Sequence, residues 1–335
     1  MGSNLITLSD FEVLVDGLSA SGLGGVRVVA VGLSGGPDSL ALAKLLSEWG
    51  AVYGVQVHAL IVDHGLRAES AEEAQRVRDV VGAWENVDCF VLRWDGEKPD
   101  SKLMEEARRA RYRLMAEYCC ENRVSHLFLG HHADDQAETV LFRLSKGSGL
   151  DGLCGMRSVQ KYDENLALVR PFLSVEKERL VATCDYYGLD YVRDPSNEKI
   201  EYARPRMREA REVLEREGLS TKRLGVTAMR LQRARLALDE IAEDVLDSAC
   251  IRTGVDAVSL NWAAVRGYPE EIGFRVLIKV IRSLRFDADY LPRMEKIEDL
   301  FADLCSEGAF RKRTLGGLMF ERDEKGYNLV VSKEV

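Results

Sequence analysis

Val28-Val29-Ala30-Val31-Gly32-Leu33-Ser34-Gly35-Gly36-Pro37-Asp38-Ser39 is the stretch that decides the fold. Arg27 to Leu33 is an apolar, β-branched run, as expected of a strand covered on both faces. Gly35 and Gly36 permit close backbone approach and positive φ. Asp38 and Ser39 then open an apolar helical run, Leu40-Ala41-Leu42-Ala43-Lys44-Leu45-Leu46. Strand, tight turn and helix N-terminus together aim free backbone N–H groups at one point, which suits a phosphate. The Lys of a Walker A loop is missing, so this is a different phosphate turn. An ordinary strand–helix turn is the plain alternative.

Downstream, the strand–helix alternation repeats. Val55–Val62 reads as a strand ending in Asp63-His64-Gly65-Leu66-Arg67. Ligands of open α/β sheets sit at the carboxyl ends of the strands, which places this polar cluster beside the phosphate turn. A helix over 69–84, a strand over Cys89–Trp94 and a basic helix over Leu103–Asn122 follow. That helix carries Arg108, Arg109 and Arg111, which taken alone would form a solvated face. His126–Gly130 is a fourth strand, running into His131-His132-Ala133-Asp134-Asp135-Gln136-Ala137-Glu138-Thr139. Asp135 and Glu138, three apart, share a face of the helix that begins there. Capping alone would explain one or two acids at a helix start. This cluster exceeds that need, and hydrated Mg²⁺ held by carboxylates and phosphates would fit it. The His pair could serve zinc, but no matching Cys or His cluster stands elsewhere.

Lys146–Met156 is Gly-rich and reads as a mobile loop that orders on substrate binding. Leu166–Arg170 is a fifth strand, closed by Pro171, and Val175–Tyr187 a helix ending at Gly188. Residues 8–23 read as a short leading helix. From Arg193 to Arg235 there are twelve Lys/Arg against seven Asp/Glu, a local positive excess in a chain of net charge −9. Such a patch is a contact for a phosphate backbone or, alternatively, a solvated helix face laced with ion pairs. Beyond about residue 216 the alternation stops. Helices over 221–250, 267–284 and 292–305 and short strands around Arg313–Glu321 and Tyr327–Val331 remain.

The fold class expected is therefore α/β: a doubly wound, mostly parallel sheet over residues 1–215, then a smaller, mostly helical domain over 216–335. The 335 residues suffice for two such domains. The seven Cys are scattered and form no C-x-x-C, which fits reduced thiols of a cytoplasmic protein. No apolar run approaches the ~20 residues of a membrane span, and no basic-then-apolar signal opens the chain.

Ser-Gly-Gly-x-Asp-Ser at Ser34–Ser39 resembles the PP-loop of the ATP pyrophosphatases (adenine nucleotide α-hydrolase-like enzymes). Those enzymes cut ATP between the α- and β-phosphates and adenylate a substrate oxygen. Four blocks stand in order: Ser34–Ser39, Asp63–Arg67, Gly130–Thr139 and Asp194–Arg208. Together they resemble the tRNA(Ile)-lysidine synthetase family, densely over 27–210 and more loosely afterwards, where Thr314-Leu315-Gly316-Gly317 is similar to the family's closing segment. One departure is Pro205, where the family usually has Asn. The chain reads as lacking the additional C-terminal domain of longer members.

The resemblance implies an enzyme that ligates free L-lysine to C2 of the wobble cytidine of a tRNA(Ile) with a CAU anticodon. Its substrate ATP gives AMP and pyrophosphate, and codon specificity changes from AUG to AUA. It implies ATP-binding by Ser34, Gly35, Gly36, Pro37, Asp38, Ser39, Asp63, His64, Arg67, Arg108, Arg111, Gly130 and His131. Asp38, Asp135, Glu138 and Arg111 would be catalytic, with Mg²⁺ on Asp38 and Asp135. Asp135, Glu138 and His132 would seat lysine, and Arg193, Asn197, Arg204, Arg206 and Arg208 would hold the tRNA. A homodimer is compatible with this reading. The rivals are a PP-loop tRNA thiolase, which the absent paired Cys disfavours, and a small-molecule amidating ligase, which the Arg-rich stretch disfavours.

Overall fold

The computed structural model describes residues 4–18, 23–66, 70–96, 98–99, 103–191, 211–285, 291–306, 308, 310–323, 325 and 327–334. Two compact units divide it, Met1–Leu231 and Gln232–Val335.

The elements of the first unit are α1 (Leu8–Asp16), β1 (Val28–Leu33), α2 (Pro37–Tyr53), β2 (Gln56–Asp63), α3 (Ser70–Val81), β3 (Val87–Arg93) and α4 (Leu103–Glu121). Then come β4 (His126–Leu129), α5 (Ala133–Leu144), α6 (Leu150–Leu153), β5 (Val159–Lys161), β6 (Ala167–Val169), α7 (Lys177–Tyr186), α8 (Arg211–Arg216) and the start of α9 (Thr221–Ala249). The sheet order is β3-β2-β1-β4-β6-β5. Every pairing is parallel except that of β5 with β6. β1 lies at the centre, with Val28 opposite Gln56 of β2 and Ala30 opposite Leu127 of β4.

Helices cover both faces, which explains why β1 carries no polar residue. On one face Leu40, Leu42, Leu45 and Leu46 of α2 are fully buried with Val29, Val31, Phe128 and Phe172. Each such side chain contributes about 1.5–3 kcal/mol. On the other face Met115 and Cys119 of α4 pack with Ala30, Leu60, Leu127 and Leu168. The chain builds outward from β1 to β2 and β3, then returns to β4 on the other side of β1. That reversal leaves a crevice at the carboxyl ends of β1 and β4, the position in which open α/β sheets bind ligands.

Two glycines make the crevice. Gly35 has φ +77° and turns the chain out of β1. Gly130 ends β4 against the backbone of α2, where an added Cβ would stand 2.9 Å from Asp38 O and 3.1 Å from Ser39 N.

Some elements differ from the sequence expectation. The leading helix closes at Asp16, with Gly17 at its C-cap, rather than running to 23. The edge strand β5 is only three residues long and carries no periodicity to read. The segment Lys146–Met156 contains α6 and is tied down: Arg143 donates to Gly152 O and Gly155 O, both at 2.9 Å. Packing extends the first unit past the Arg-rich connector, because Leu224 and Ala228 of α9 bury with Ala137 and Val140 of α5.

The second unit adds β7 (Cys250–Thr253), β8 (Ala257–Asn261), α10 (Trp262–Val265), α11 (Glu270–Leu284), α12 (Met294–Cys305), β9 (Arg313–Leu315), β10 (Leu318–Arg322) and β11 (Asn328–Lys333). It is helix-rich, but its strands form an antiparallel sheet ordered β7-β8-β11-β10-β9. β7 escapes sequence reading because it is short and follows a 29-residue helix without a break, and β8 is its hairpin partner. The core gathers Val276, Leu277 and Ile281 of α11 with Ile297 and Leu304 of α12, Trp262 and Phe320. Buried Arg322 donates to Leu304 O at 2.9 Å and Ser306 O at 3.3 Å, so it satisfies the end of α12.

Gly130→Ala tests the crevice. The added methyl has to displace the backbone of Asp38 and Ser39, an overpacking that costs about 1–3 kcal/mol. We expect a lowered unfolding midpoint and weakened ATP binding by calorimetry; unchanged ATP affinity would mean that this close approach does not shape the loop.

Candidate active site

The phosphate turn is held open by its own hydroxyls. Ser39 Oγ accepts from Ser34 N at 3.1 Å and donates to Gly36 O at 3.1 Å, while Ser34 Oγ lies 3.2 Å from Ser39 Oγ. Gly36 is the N-cap of α2 and brings no side-chain cap, and Pro37 takes the first helical position. The N-terminal amides of α2 are therefore left without a side-chain cap, and the helix dipole favours an anion there.

Across the crevice α5 begins with an unusual cap. His132 is the N-cap: Asp134 N donates to its Nδ1 at 3.2 Å, and His132 N donates to Asp135 Oδ2 at 3.1 Å. Accepting at Nδ1 leaves the proton on Nε2. Nε2 stands 3.5 Å from Asp38 Oδ2 and 3.5 Å from Asp135 Oδ2, so one imidazole bridges the phosphate turn and the acidic helix. Burial opposes charge on His132, yet Asp38, Asp135 and Asp134 outweigh it and raise its pKa above the ordinary imidazole value. Asp38 Oδ1 is buried and has no hydrogen-bond partner among the described residues. A buried carboxylate oxygen left open in this way, close to Asp135, suits a hard cation shared with phosphate oxygens. Among the described residues no protein-only cluster of three or more ligating side chains forms, so such a cation would rely on phosphates as well. Glu138 is 7% exposed, one turn along α5 from Asp134 and Asp135.

The β2 end forms a second cluster. Asp63 Oδ1 accepts from Gly65 N at 2.9 Å and Ser70 Oγ at 2.7 Å, so this carboxylate shapes its own turn and the start of α3. Burial would raise its pKa, but those bonds, with Arg93 and His64 nearby, bring it below the usual carboxylate value. His64 stands edge-on to Trp94, with ring centres 6.0 Å apart. Burial, then the charges of Arg111 and Lys98, push its pKa down and keep the ring neutral. Half-buried Arg111 and exposed Arg108 both lie on α4, and the Arg108 guanidinium is 5.4 Å from the Tyr112 ring centre.

The structure thus brings Asp38, His132 and Asp135 together and groups His64 with Arg111. Arg67, Arg193, Asn197, Arg204, Arg206 and Arg208 lie outside the described residues. Sequence reasoning missed two contacts. Thr221 at the start of α9 donates to Asp134 Oδ1 at 2.9 Å. Gln136, inside the acidic block, accepts from Met156 N at 2.6 Å and donates to Met156 O at 3.0 Å. The position of Gln136 amid the acids was a readable signal; nothing local marks Thr221.

An α/β sheet with a Ser-Gly-Gly turn and acids at its switch point defines a PP-loop, ATP-using protein, and residues 14–216 match the family model of the PP-loop domain. A tRNA(Ile)-lysidine synthase of Methylobacterium nodulans is 40% identical over 89% of this chain and 88% of its own. Proteins of the same name from Rhodopseudomonas palustris and from Wolbachia of Brugia malayi are 37% and 30% identical, covering 85% and 97% of this chain and 82% and 74% of theirs. The chain belongs to the tRNA(Ile)-lysidine synthase family of ligases. The solved U34-tRNA thiolase NcsA of Methanococcus maripaludis superposes with a TM-score of 0.51 at 18% identity, over 67% of this chain and 80% of that one, which speaks for the fold alone.

Thr221→Val removes the only hydroxyl of that contact while keeping its shape. Loss of a hydrogen bond to a largely buried carboxylate should cost about 1.5–3 kcal/mol in urea unfolding. A change under about 0.5 kcal/mol would mean that Asp134 does not depend on α9.

Proposed function

We propose that this protein makes lysidine: it joins free L-lysine to C2 of the wobble cytidine of a tRNA(Ile) bearing the CAU anticodon. The observation that carries this reading is the junction of phosphate turn and acidic helix through His132, within 3.5 Å of both Asp38 and Asp135. ATP chemistry and amine chemistry both fit in one crevice.

In the first step cytidine O2 attacks the α-phosphorus of ATP, giving an adenylated base and pyrophosphate. Ser34, Gly35, Gly36 and Ser39 hold the departing pyrophosphate with N–H and hydroxyl groups, with Pro37 fixing the helix start. Arg111, with Arg108, faces the phosphate charge, and His64 and Asp63 border the nucleoside, with Arg67 as a further contact. Asp38 and Asp135 would hold Mg²⁺, which neutralises phosphate charge when bound. Gly130, whose bare Cα lets β4 meet the phosphate turn at Asp38 and Ser39, and His131 border the nucleotide.

In the second step the lysine ε-amine displaces AMP at C2. Its free pKa is about 10.4, so it arrives as an ammonium and has to lose a proton. Asp135 and Glu138, beside His132, are suited to seat that ammonium and accept the proton. Arg193, Asn197, Arg204, Arg206 and Arg208 are assigned to the tRNA backbone. Sulfur transfer has less support: burial pushes the Cys119 and Cys184 thiols up to about 12, keeping them protonated.

The test is pyrophosphate release from ATP and Mg²⁺, with and without the tRNA, followed by incorporation of labelled lysine. RNA-dependent release with incorporation is expected, and Asp38→Ala and Asp135→Ala should abolish turnover while unfolding cooperatively. Release without RNA, or wild-type rates in either variant, would defeat the reading.

A further inference from the structure

Arg170 is 5% exposed and leaves β6 one residue past Val169, which pairs with Phe128 of β4. It therefore stands at the strand ends that form the crevice, yet none of the roles above uses it. Its Nη1 donates to Arg157 O at 3.0 Å and to Gln160 Oε1 at 3.2 Å, and its backbone N donates to Ser158 O at 2.7 Å. These bonds fix the segment that follows Met156, and Met156 is in turn gripped in both directions by Gln136 of α5. Five residues beyond Arg170, Val175 O accepts from Ala133 N at the first turn of α5. Leu168 packs in the cluster that Tyr112 of α4 joins, so Arg170, two residues on, leaves the sheet on the face that carries α4, and the Tyr112 ring also receives Arg108. Burial depresses the pKa of Arg170 and the Arg108 charge adds to that, while the nearby Tyr112 opposes it.

Among the described residues the Arg170 guanidinium bonds to the neutral oxygens of Arg157 and Gln160, and its Nε is buried without a hydrogen-bond partner. Burying a cation on neutral acceptors alone is costly, and an apolar side chain would fill the space with less penalty. The cost is understandable where the forked guanidinium holds several elements in one geometry.

We propose that Arg170 is a positioning residue for the ATP half of the reaction, the buried joint that sets α4, with Arg108 and Arg111, against α5, with Asp135 and Glu138. The proposal rests on the adenylation reading above. A joint of this kind acts on the geometry of the reacting groups, and a displacement of about 1 Å costs up to about a hundredfold in rate. Nucleotide affinity, set mainly by the phosphate turn, should change little.

The test uses Arg170→Met, Arg170→Lys and Tyr112→Phe in the full chain, measuring kcat and KM for ATP in tRNA-dependent pyrophosphate release beside thermal unfolding. Arg170→Met and Tyr112→Phe should lower kcat about tenfold to a hundredfold with KM for ATP within about twofold. Arg170→Lys should recover part of the loss. Should Arg170→Met not fold, Arg170→Lys and Tyr112→Phe read the same contact. A lowered melting temperature with kcat within about twofold of wild type would overturn the proposal, as would an effect confined to KM. If the unaltered chain releases no pyrophosphate in response to tRNA, the function reading fails instead, before Arg170 is put to the test.

Discussion

The imidazole of His132 lies between two carboxylates that come from different parts of the sheet. Asp38 belongs to the first turn after β1, and Asp135 to the first turn after β4, almost a hundred residues later. The ring is 3% exposed, so its position is set by packing and by the cap it gives α5. Because Nδ1 accepts the Asp134 amide, Nε2 has to face the crevice as a donor. That single tautomer holds an acidic pair that would otherwise repel. It also fixes how far the phosphate turn stands from the acidic helix.

Around this tie the charges are sorted. The start of α2 and the arginines of α4 offer positive potential. The start of α5 offers carboxylates, Asp134 and Asp135 in its first turn. Both helices begin in the same crevice only because the chain reverses direction in the sheet between β3 and β4. The site depends on backbone contact as much as on side chains, since Gly130 lets β4 touch the turn at Asp38. The PP-loop domain match over residues 14–216 contains both helix starts of this crevice.

Much of this is legible in the sequence because it is local. The run Val28–Ser39 states strand, turn and helix within twelve residues, and His131–Thr139 states an acid-rich helix start. Asp135 and Glu138 could be placed on one face from spacing alone. What was not legible depends on contacts between distant segments. Asp63, expected to border the nucleotide, spends one oxygen on Gly65 and Ser70. Arg170 reads as a strand end, and Tyr112, which packs with Leu168 on the same face of the sheet, stands 58 positions earlier. The short strands β5 and β7 carry too few residues for a period of two to be visible.

The central claim is that one crevice first adenylates the RNA base and then exchanges the adenylate for lysine. The most direct measurement supplies ATP labelled at the α-phosphorus together with tRNA(Ile), withholds lysine, and asks where the label resides. Label on the RNA, released as AMP when lysine is added, is the expected result. Label that passes to AMP without ever residing on the RNA would contradict it.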